Sequence, residues 1–313
     1  MPEISLRPLR SDDVDAVVRI WNAALHRDPI TVGRFCGWLF GDADYRPGAD
    51  SGMIVAERAG RLIGFIRAIV RRSPNDRVGL EPELGWIPVV AVDPAEQRQG
   101  AGRALLAAAV DYLRGKGRRQ IFVCGNTGSA PGYVFPGVDQ DAYAGALALF
   151  KRAGFVVDHE PIAMSRETIG FDQAKYDADA WAVGGDIVVE GLTPARVQDF
   201  LVFLAESFPG DWNIAARAKI RAGGLDEMLI ARRGETVLGY CQWEGEHFGP
   251  FGVSAAERGG RIGAKLFAEA VRRIRAADGR SVWFNWADDD AARFYRRFGL
   301  DATRRFAILR KDL

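Results

Sequence analysis

Two stretches of the sequence share one order of elements: an apolar strand, a glycine-rich turn and an apolar helix. In the first, residues 86–92 lead into Gln97-Arg98-Gln99-Gly100-Ala101-Gly102-Arg103, and residues 104–113 continue as a helix. Glycine has no side chain, so the backbone N–H groups of such a turn can approach a ligand closely. The start of a helix adds unpaired donors and a partial positive charge. The stretch therefore predicts an anion site that suits phosphate.

Two common phosphate motifs do not fit this turn. A dinucleotide fingerprint requires a third glycine where Leu105 stands, and a P-loop requires Gly-Lys followed by Ser or Thr. The nearby Gly115-Lys116 is followed by Gly117 and comes after the helix. What remains is Gln-x-x-Gly-x-Gly after a buried strand. A helix that needed only a plain start would favour Ser or Asp as its N-cap, so a ligand-binding loop is the preferred interpretation.

This pattern resembles the pyrophosphate-binding loop of the GNAT family of acyl-CoA N-acetyltransferases. The family pattern is Gln or Arg, two residues, Gly, one residue, and Gly or Ala; Val-Ala-Val-Asp-Pro before it and two leucines after it extend the resemblance. The resemblance implies that the loop binds acetyl-CoA and that the preceding strand lines its pantetheine arm. The residues implied in cofactor binding are Val92, Gln97, Arg98, Gln99, Gly100, Ala101, Gly102 and Arg103.

The predicted elements of the first half follow the order of a GNAT domain. A strand at residues 4–8 precedes two helices, a hairpin around Ala59-Gly60 and the strand that ends at Val92. After the glycine-rich turn and its helix come a strand at 119–124, a helix at 142–152 and closing strands within 155–164. We therefore expect an α/β fold (an α+β mixed sheet) with a splayed, mostly antiparallel sheet flanked by helices.

The second half repeats the first, so the sequence predicts two tandem GNAT domains. The expected bounds are residues 1–167, a connecting segment at 168–185, and residues 186–313. In the second loop Arg261 stands where the first has Gly100, and a β-carbon at positive φ costs about 1–2 kcal/mol unless Gly260 shifts the turn. The residues implied in this second cofactor loop are Val253, Arg258, Gly259, Gly260, Arg261 and Gly263.

A tyrosine of the second half is the first catalytic candidate. Residues 288–300 resemble the GNAT pattern Asn-x-x-Ala-x-x-x-Tyr-x-x-x-Gly-Phe, with Asp288 and Leu300 as departures. The resemblance implies that Tyr295 protonates the leaving thiolate. An ordinary core tyrosine is the alternative, because the same helix face is apolar. In the first half Phe150 takes this place, and no spacing selects a substitute between Tyr133 and Tyr143.

The candidate bases precede the strand of the second loop. Glu246 and His247 could take the amine proton directly or through water, and the imidazole titrates in the required range. Exposed loop charges are the alternative interpretation. In the first half, Glu81 and Glu83 hold a similar place.

Composition excludes several other classes. The 313 residues carry a net charge of +1, which provides no field for nucleic acid or an anionic membrane surface. No apolar run reaches the length of a membrane helix, and the N-terminus lacks the regions of a signal peptide. Cys36, Cys124 and Cys241 are odd in number and far apart, so we expect reduced thiols and a cytoplasmic protein. The three histidines form no metal-ligand spacing with them, so no metal site is predicted.

The leading hypothesis is an enzyme that moves an acetyl group from acetyl-CoA to a primary amine by direct attack in a ternary complex. The acceptor is a small molecule or a peptide, and the sequence does not select between them. One alternative is a non-catalytic acyl-CoA-binding or regulatory protein, which the departures in the two motifs favour. Another is a Fem-like aminoacyl transferase, against which the near-neutral charge counts.

Overall fold

The computed structural model describes residues 3–75, 78–125, 130–172, 174 and 186–313. The chain forms two compact units. The first unit contains Met1–Pro161 and Arg304–Leu313, and the second contains Ile162–Thr303. The domain bounds drawn from the sequence repeat remain a prediction; of the connecting segment, residues 173 and 175–185 lie outside the described residues. None of the described helices is long and apolar enough to cross a membrane.

Fourteen strands and eight helices are named here in chain order. The strands are β1 (Ile4–Pro8), β2 (Met53–Arg58), β3 (Arg61–Ile69), β4 (Leu84–Val92), β5 (Gln120–Val123), β6 (Val138–Asp139), β7 (Val156–His159), β8 (Ile162–Glu167), β9 (Ile187–Gly191), β10 (Met228–Arg233), β11 (Thr236–Glu244), β12 (His247–Val253), β13 (Ser281–Phe284) and β14 (Asp301–Asp312). The helices are α1 (Val14–Ala24), α2 (Val32–Phe40), α3 (Ala101–Gly115), α4 (Ala144–Arg152), α5 (Val197–Ser207), α6 (Asp211–Arg221), α7 (Ile262–Ala276) and α8 (Asp289–Arg296).

The first unit is a mixed sheet between two helical layers. Strands β1 to β4 pair antiparallel in chain order, and β4 then pairs parallel with β5. Helices α1 and α2 cover one face, where Trp21 and Phe35 pack with Phe65. Helices α3 and α4 cover the other face, where Leu105 and Phe150 share one core cluster with the strands. This arrangement confirms the predicted fold class.

The second unit repeats this plan. Strands β9 to β12 pair antiparallel in chain order, and β12 pairs parallel with β13. Helix α7 buries Leu266 and Phe267 in the core on one face. Helix α5 buries Phe200 and Leu204 in a second cluster with Tyr240.

The closing strand of each unit comes from the other half of the sequence. In the first unit β14 pairs antiparallel with β5, and in the second unit β8 pairs antiparallel with β13. The expectation that residues 155–164 supply both closing strands of the first half is therefore wrong for Ile162–Glu167. An apolar strand pattern indicates that a strand forms, but it does not identify the partner strand.

Candidate functional site

The first glycine-rich loop has the geometry of an anion site. Gly100 lies immediately before α3 with φ +95°, and Arg98 also lies in the left-handed region, with φ +62°. The first helical bond runs from the N–H of Ala104 to the carbonyl of Gly100 at 3.0 Å. The N–H groups of residues 101–103 therefore have no acceptor within the helix and stand at its positive end.

The side chains of the loop divide into two groups. Gln97 Nε2 donates to the carbonyl oxygen of Val92 at 3.0 Å, and Arg58 Nη1 donates to Gln99 Oε1 at 2.6 Å. These two glutamines therefore fix the shape of the loop. Arg98 and Arg103 are exposed, and neither forms an ion pair within the part of the chain that the structure describes. The exposed guanidinium groups suit a phosphate ligand.

Gly102 shows that the loop passes close to α4. A β-carbon at this position would lie 3.3 Å from Leu149 Cδ2 and 3.8 Å from Val92 Cγ2. The missing side chain leaves the N–H groups accessible between the two helices. The loop residues thus fit the pyrophosphate-containing ligand that the sequence predicts.

The strand before the loop presents an open backbone edge. Asp93 N–H donates to the Ile63 carbonyl at 2.8 Å, so by the alternation of an antiparallel pair the backbone groups of Ala91 and Val89 also face β3. The N–H groups of Val90 and Val92 then face the opposite side. There the pairing of β4 with β5 ends with Ile87 opposite Val123, and the two strands diverge.

A cavity of about 40 Å³ lies where β4 and β5 diverge. A cavity needs at least roughly 10–15 Å³ to hold one water molecule, so this one has room for a small chemical group. Its wall is mostly apolar, and the residues that matter below are Val90, Cys124, Phe135, Tyr143, Phe150 and Arg304. Burial raises the pKa of Cys124 to about 12, so its thiol stays protonated at neutral pH and is a poor nucleophile.

Tyr143 and Phe150 both line this cavity, and of the two only Tyr143 carries a hydroxyl. Tyr143 Oη donates to Asp28 Oδ2 at 2.7 Å and accepts from the N–H of Arg27 at 3.2 Å. Burial, followed by the Asp28 carboxylate, raises the pKa of Tyr143. Tyr133 does not line the cavity. The structure therefore separates the two tyrosines that the sequence left open.

An ion network built on Arg304 of β14 borders the same cavity. Arg304 Nε donates to Asp139 Oδ2 at 2.7 Å, while Nη1 and Nη2 donate to the two oxygens of Asp28 at 2.6 and 2.7 Å. Asp139 is fully buried. Burial alone would raise the pKa of Asp139, but the Ala142 N–H and Arg304 hold it below the usual value. The closing strand thus connects the segment after α1 with the segment before α4.

The second glycine-rich loop has the same backbone shape with glycine and arginine exchanged. Gly259 (φ +87°) and Arg261 (φ +62°) are the left-handed positions, as Arg98 and Gly100 are in the first loop. Arg261 lies immediately before α7, so the suggestion that Gly260 shifts the turn is wrong. Arg258 Nε donates to the Val253 carbonyl at 3.5 Å, in the manner of Gln97.

Aromatic rings fill the space beside the second loop. Phe251, which takes the place of Val90, stacks on Phe294 with ring centroids 5.6 Å apart. A β-carbon on Gly263 would lie only 3.1 Å from Phe251 Cζ. Tyr295 is 8% exposed, and its ring centroid lies 4.3 Å from that of Phe284. Burial raises the pKa of Tyr295. Among the described residues, none forms a hydrogen bond with Tyr295 Oη.

The two predicted bases of the second half differ in their contacts: Glu246 accepts hydrogen bonds, whereas His247 packs on an aromatic ring. Glu246 Oε1 accepts from the N–H groups of Arg280 and Ser281, and Oε2 accepts from Ser281 Oγ. The Ser281 hydroxyl, and then the Arg280 N–H, lower the pKa of Glu246, which makes it a weak base. His247 packs on Trp283 with ring centroids 4.6 Å apart. Burial lowers the pKa of His247, so its imidazole is neutral at pH 7.

The predicted bases of the first half both form ion pairs. Glu81 pairs with Arg71 at 2.8 Å, and Glu83 pairs with Arg119 at 3.0 Å. Both precede β4, whereas the cavity lies beyond Ile87.

Comparisons with known proteins agree with this geometry. The model of the acetyltransferase (GNAT) family matches residues 17–155. A mycothiol acetyltransferase of Amycolatopsis mediterranei is 33% identical over 162 residues, covering 49% of this chain and 46% of the relative. One of Rhodococcus erythropolis is 30% identical over 175 residues, covering 53% and 51%. The chain thus spans about half the length of these curated relatives.

Solved structures extend the likeness in fold to the whole chain. A GCN5-related glucosamine N-acetyltransferase region of a fungal enzyme has a TM-score of 0.80 at 19% identity, over 99% of this chain and 38% of that one. A tandem GNAT protein from the clavulanic acid biosynthesis pathway has a TM-score of 0.62 at 17% identity, over 99% and 98%. The family match and the shared two-unit plan lead to one conclusion: residues 17–155 of the first unit match the acetyltransferase (GNAT) family, and the whole chain has the fold of two such units in tandem.

Proposed function

We propose that this protein is an acetyl-CoA-dependent N-acetyltransferase whose first unit binds acetyl-CoA and acetylates a primary amine. One observation carries the proposal. The first glycine-rich loop (residues 97–103, called the donor loop below), the open edge of β4 and the small cavity follow one another along a single unit. The match of residues 17–155 to the acetyltransferase (GNAT) family supports the reaction class. The acceptor is a small-molecule or peptide amine, and the name of the matched relatives makes the substrate of a mycothiol acetyltransferase one compound to test.

The residues of the first unit would hold acetyl-CoA in three places. The N–H groups of residues 101–103, with Arg98 and Arg103, would bind the pyrophosphate. The backbone edge at Val90 and Val92 would bind the pantetheine arm. Acetyl-CoA, when bound, supplies an activated thioester.

Transfer would then depend on orientation and on two polar groups. The N–H of Val90 faces the cavity and would polarise a carbonyl placed there. Attack by the amine forms the C–N bond and breaks the C–S bond, and orientation supplies much of the rate. Tyr143 is protonated at neutral pH and would enter as the proton donor to the thiolate when its hydroxyl turns from Asp28 to the sulfur. The proton of the amine would leave to water.

A second assignment places the transfer in the second unit. There Tyr295 would be the acid and His247, with Glu246, the base, beside the loop formed by residues 253–263. The unbonded hydroxyl of Tyr295 favours this assignment. Phe251 opposes it, because its ring occupies the space between that loop and the tyrosine.

The test is thiol release from acetyl-CoA across a panel of amines, with binding of acetyl-CoA measured by calorimetry. We expect release that depends on the amine in the wild type and loss of both binding and release in Gly100→Glu. Binding without release for any amine would contradict the enzyme and support an acyl-CoA-binding protein. No binding at all would contradict both.

A further inference from the structure

A buried arginine beside the cavity has no role in the steps above. Arg67 on β3 is fully buried. Its guanidinium carbon lies over the ring of Trp38, 4.6 Å from the ring centroid. Nη2 forms an ion pair with Asp42 Oδ2 at 2.6 Å. Nε and Nη1 are buried, and no residue in the described part of the chain forms a hydrogen bond with either of them. Unpaired buried donors on a charged group are rare in folded proteins, because water or a partner normally satisfies them.

The position of Arg67 places these donors close to the reacting groups. Arg67 lies opposite Val89 in the β3–β4 pair, and Val89 lines the cavity. Neighbouring strands are about 5 Å apart, so the arginine stands one strand from the divergence of β4 and β5. Its side chain shares the face of Phe65, two residues earlier, which α1 and α2 cover. Helix α3 and the donor loop are on the opposite face.

The backbone of Gly132 now covers the guanidinium. A β-carbon at Gly132 would lie 3.2 Å from both Cζ and Nη1 of Arg67. Trp38 Nε1 donates to the Gly132 carbonyl at 3.0 Å and holds this segment in place. A ligand group that reaches Arg67 would therefore take the place of the Gly132 backbone.

We infer that Arg67 binds an oxyanionic group of the acceptor, so that the acceptor is an amine carrying a carboxylate or a phosphate. This inference rests on the proposed function. Both oxyanions form charge-assisted hydrogen bonds with a guanidinium. Such a group binds the unpaired Nε and Nη1 donors on the face opposite the donor loop, and the amine of the same molecule points to the cavity.

The experiment compares matched acceptors in the wild type and in two arginine variants. The pairs are α-amino acids against their amides, and aminoalkyl phosphates against the corresponding amino alcohols. Arg67→Met removes the proposed contact. Arg71→Met is the control, because Arg71 is also buried, lies over a tryptophan ring and pairs with Glu81. The measurement is kcat/KM for thiol release.

We expect the wild type and Arg71→Met to prefer the anionic member of one pair by at least tenfold, and Arg67→Met to lose that preference. The pair that shows the preference distinguishes carboxylate from phosphate. Equal rates within every pair in the wild type, or a preference that survives in Arg67→Met, would overturn the inference while leaving the enzyme in place. No release with any amine would instead count against the proposed function.

A second variant covers the case in which Arg67→Met does not fold. Asp42→Asn removes the carboxylate that pairs with Arg67 Nη2 and leaves the guanidinium in place. We expect the preference for the anionic acceptor to rise at least threefold in this variant. A fall, or no change, would contradict a direct contact between Arg67 and the acceptor.

Discussion

Both units open the sheet at the same place, but they fill the opening differently. In the first unit Val90 lines a small cavity where β4 and β5 diverge. In the second unit Phe251 holds the same position, and its ring lies against Gly263 and Phe294. The opening is therefore a property of the fold, whereas the side chains beside it determine how much space it leaves.

The two loops teach a related lesson about the backbone. Each has two left-handed positions, yet glycine occupies the second in one loop (Gly100) and the first in the other (Gly259). An arginine in the left-handed region costs about 1–2 kcal/mol. Because both loops accept one such arginine, the surrounding strand and helix hold the turn even where glycine is absent.

The largest expected effect concerns the arginines of the two closing strands. Arg304→Met would remove the nearer ion partner of the fully buried Asp139 and the paired contacts with Asp28, while Arg27 would stay 3.2 Å from Asp139. Breaking a buried pair costs at most about 3–5 kcal/mol of unfolding free energy. Arg166 on β8 donates to the carbonyls of Glu167 and Phe298, so Arg166→Met would cost about 1 kcal/mol. Denaturant unfolding measures both. Equal losses would contradict the difference between the two strands.

The same variant changes the pH dependence of stability. The pKa of Asp139 is lowered in the folded protein, so its contribution is present above the unfolded pKa and is lost as pH falls through the folded pKa. In Arg304→Met the pKa of Asp139 would rise, because burial still raises it and one of the groups that lower it is lost, so stability would begin to fall at a higher pH. Arg305→Met, on the same strand but exposed, is the control and should follow the wild-type curve.

The second prediction compares the donor loop with the second glycine-rich loop. Gly100→Glu puts a carboxylate and a β-carbon where the pyrophosphate would bind, and we expect kcat/KM for acetyl-CoA to fall by at least about 100-fold. Arg261→Glu makes the matched change at the same position of the second loop and should alter kcat/KM by less than about threefold. The reverse pattern would assign the reaction to the second unit.

The third prediction separates the two tyrosines. Loss of a general acid lowers kcat by about 100-fold or more. We expect such a loss in Tyr143→Phe, because Tyr143 lines the cavity of the first unit, and no loss in Tyr295→Phe. Stopped assays of thiol release at saturating acetyl-CoA measure kcat directly. Full activity in Tyr143→Phe would remove this residue from the proposed mechanism.

The sequence predicted what depends on neighbouring residues. The left-handed turn, the helix start and the buried strand of the first loop are local features, and the repeat fixed the order of elements twice. Features that depend on distant partners were missed. Arg304 forms hydrogen bonds with Asp28, which lies 276 residues earlier in the sequence, and no local pattern predicts that pair. The pairing of β8 with β13 and of β14 with β5, which gives each unit a strand from the other half of the sequence, was missed for the same reason.

The prediction of least effect asks whether the second opening can be restored. Phe251→Val copies Val90 and frees space beside Gly263, so it should let the second loop bind acetyl-CoA. Calorimetry in a Gly100→Glu background, where the first loop is blocked, measures this site alone. We expect affinity to rise by no more than about tenfold, because Phe294 and Tyr295 still occupy the opening and a lost ring contact contributes only modestly. Equal affinity without the substitution would show that Phe251 does not obstruct the second site.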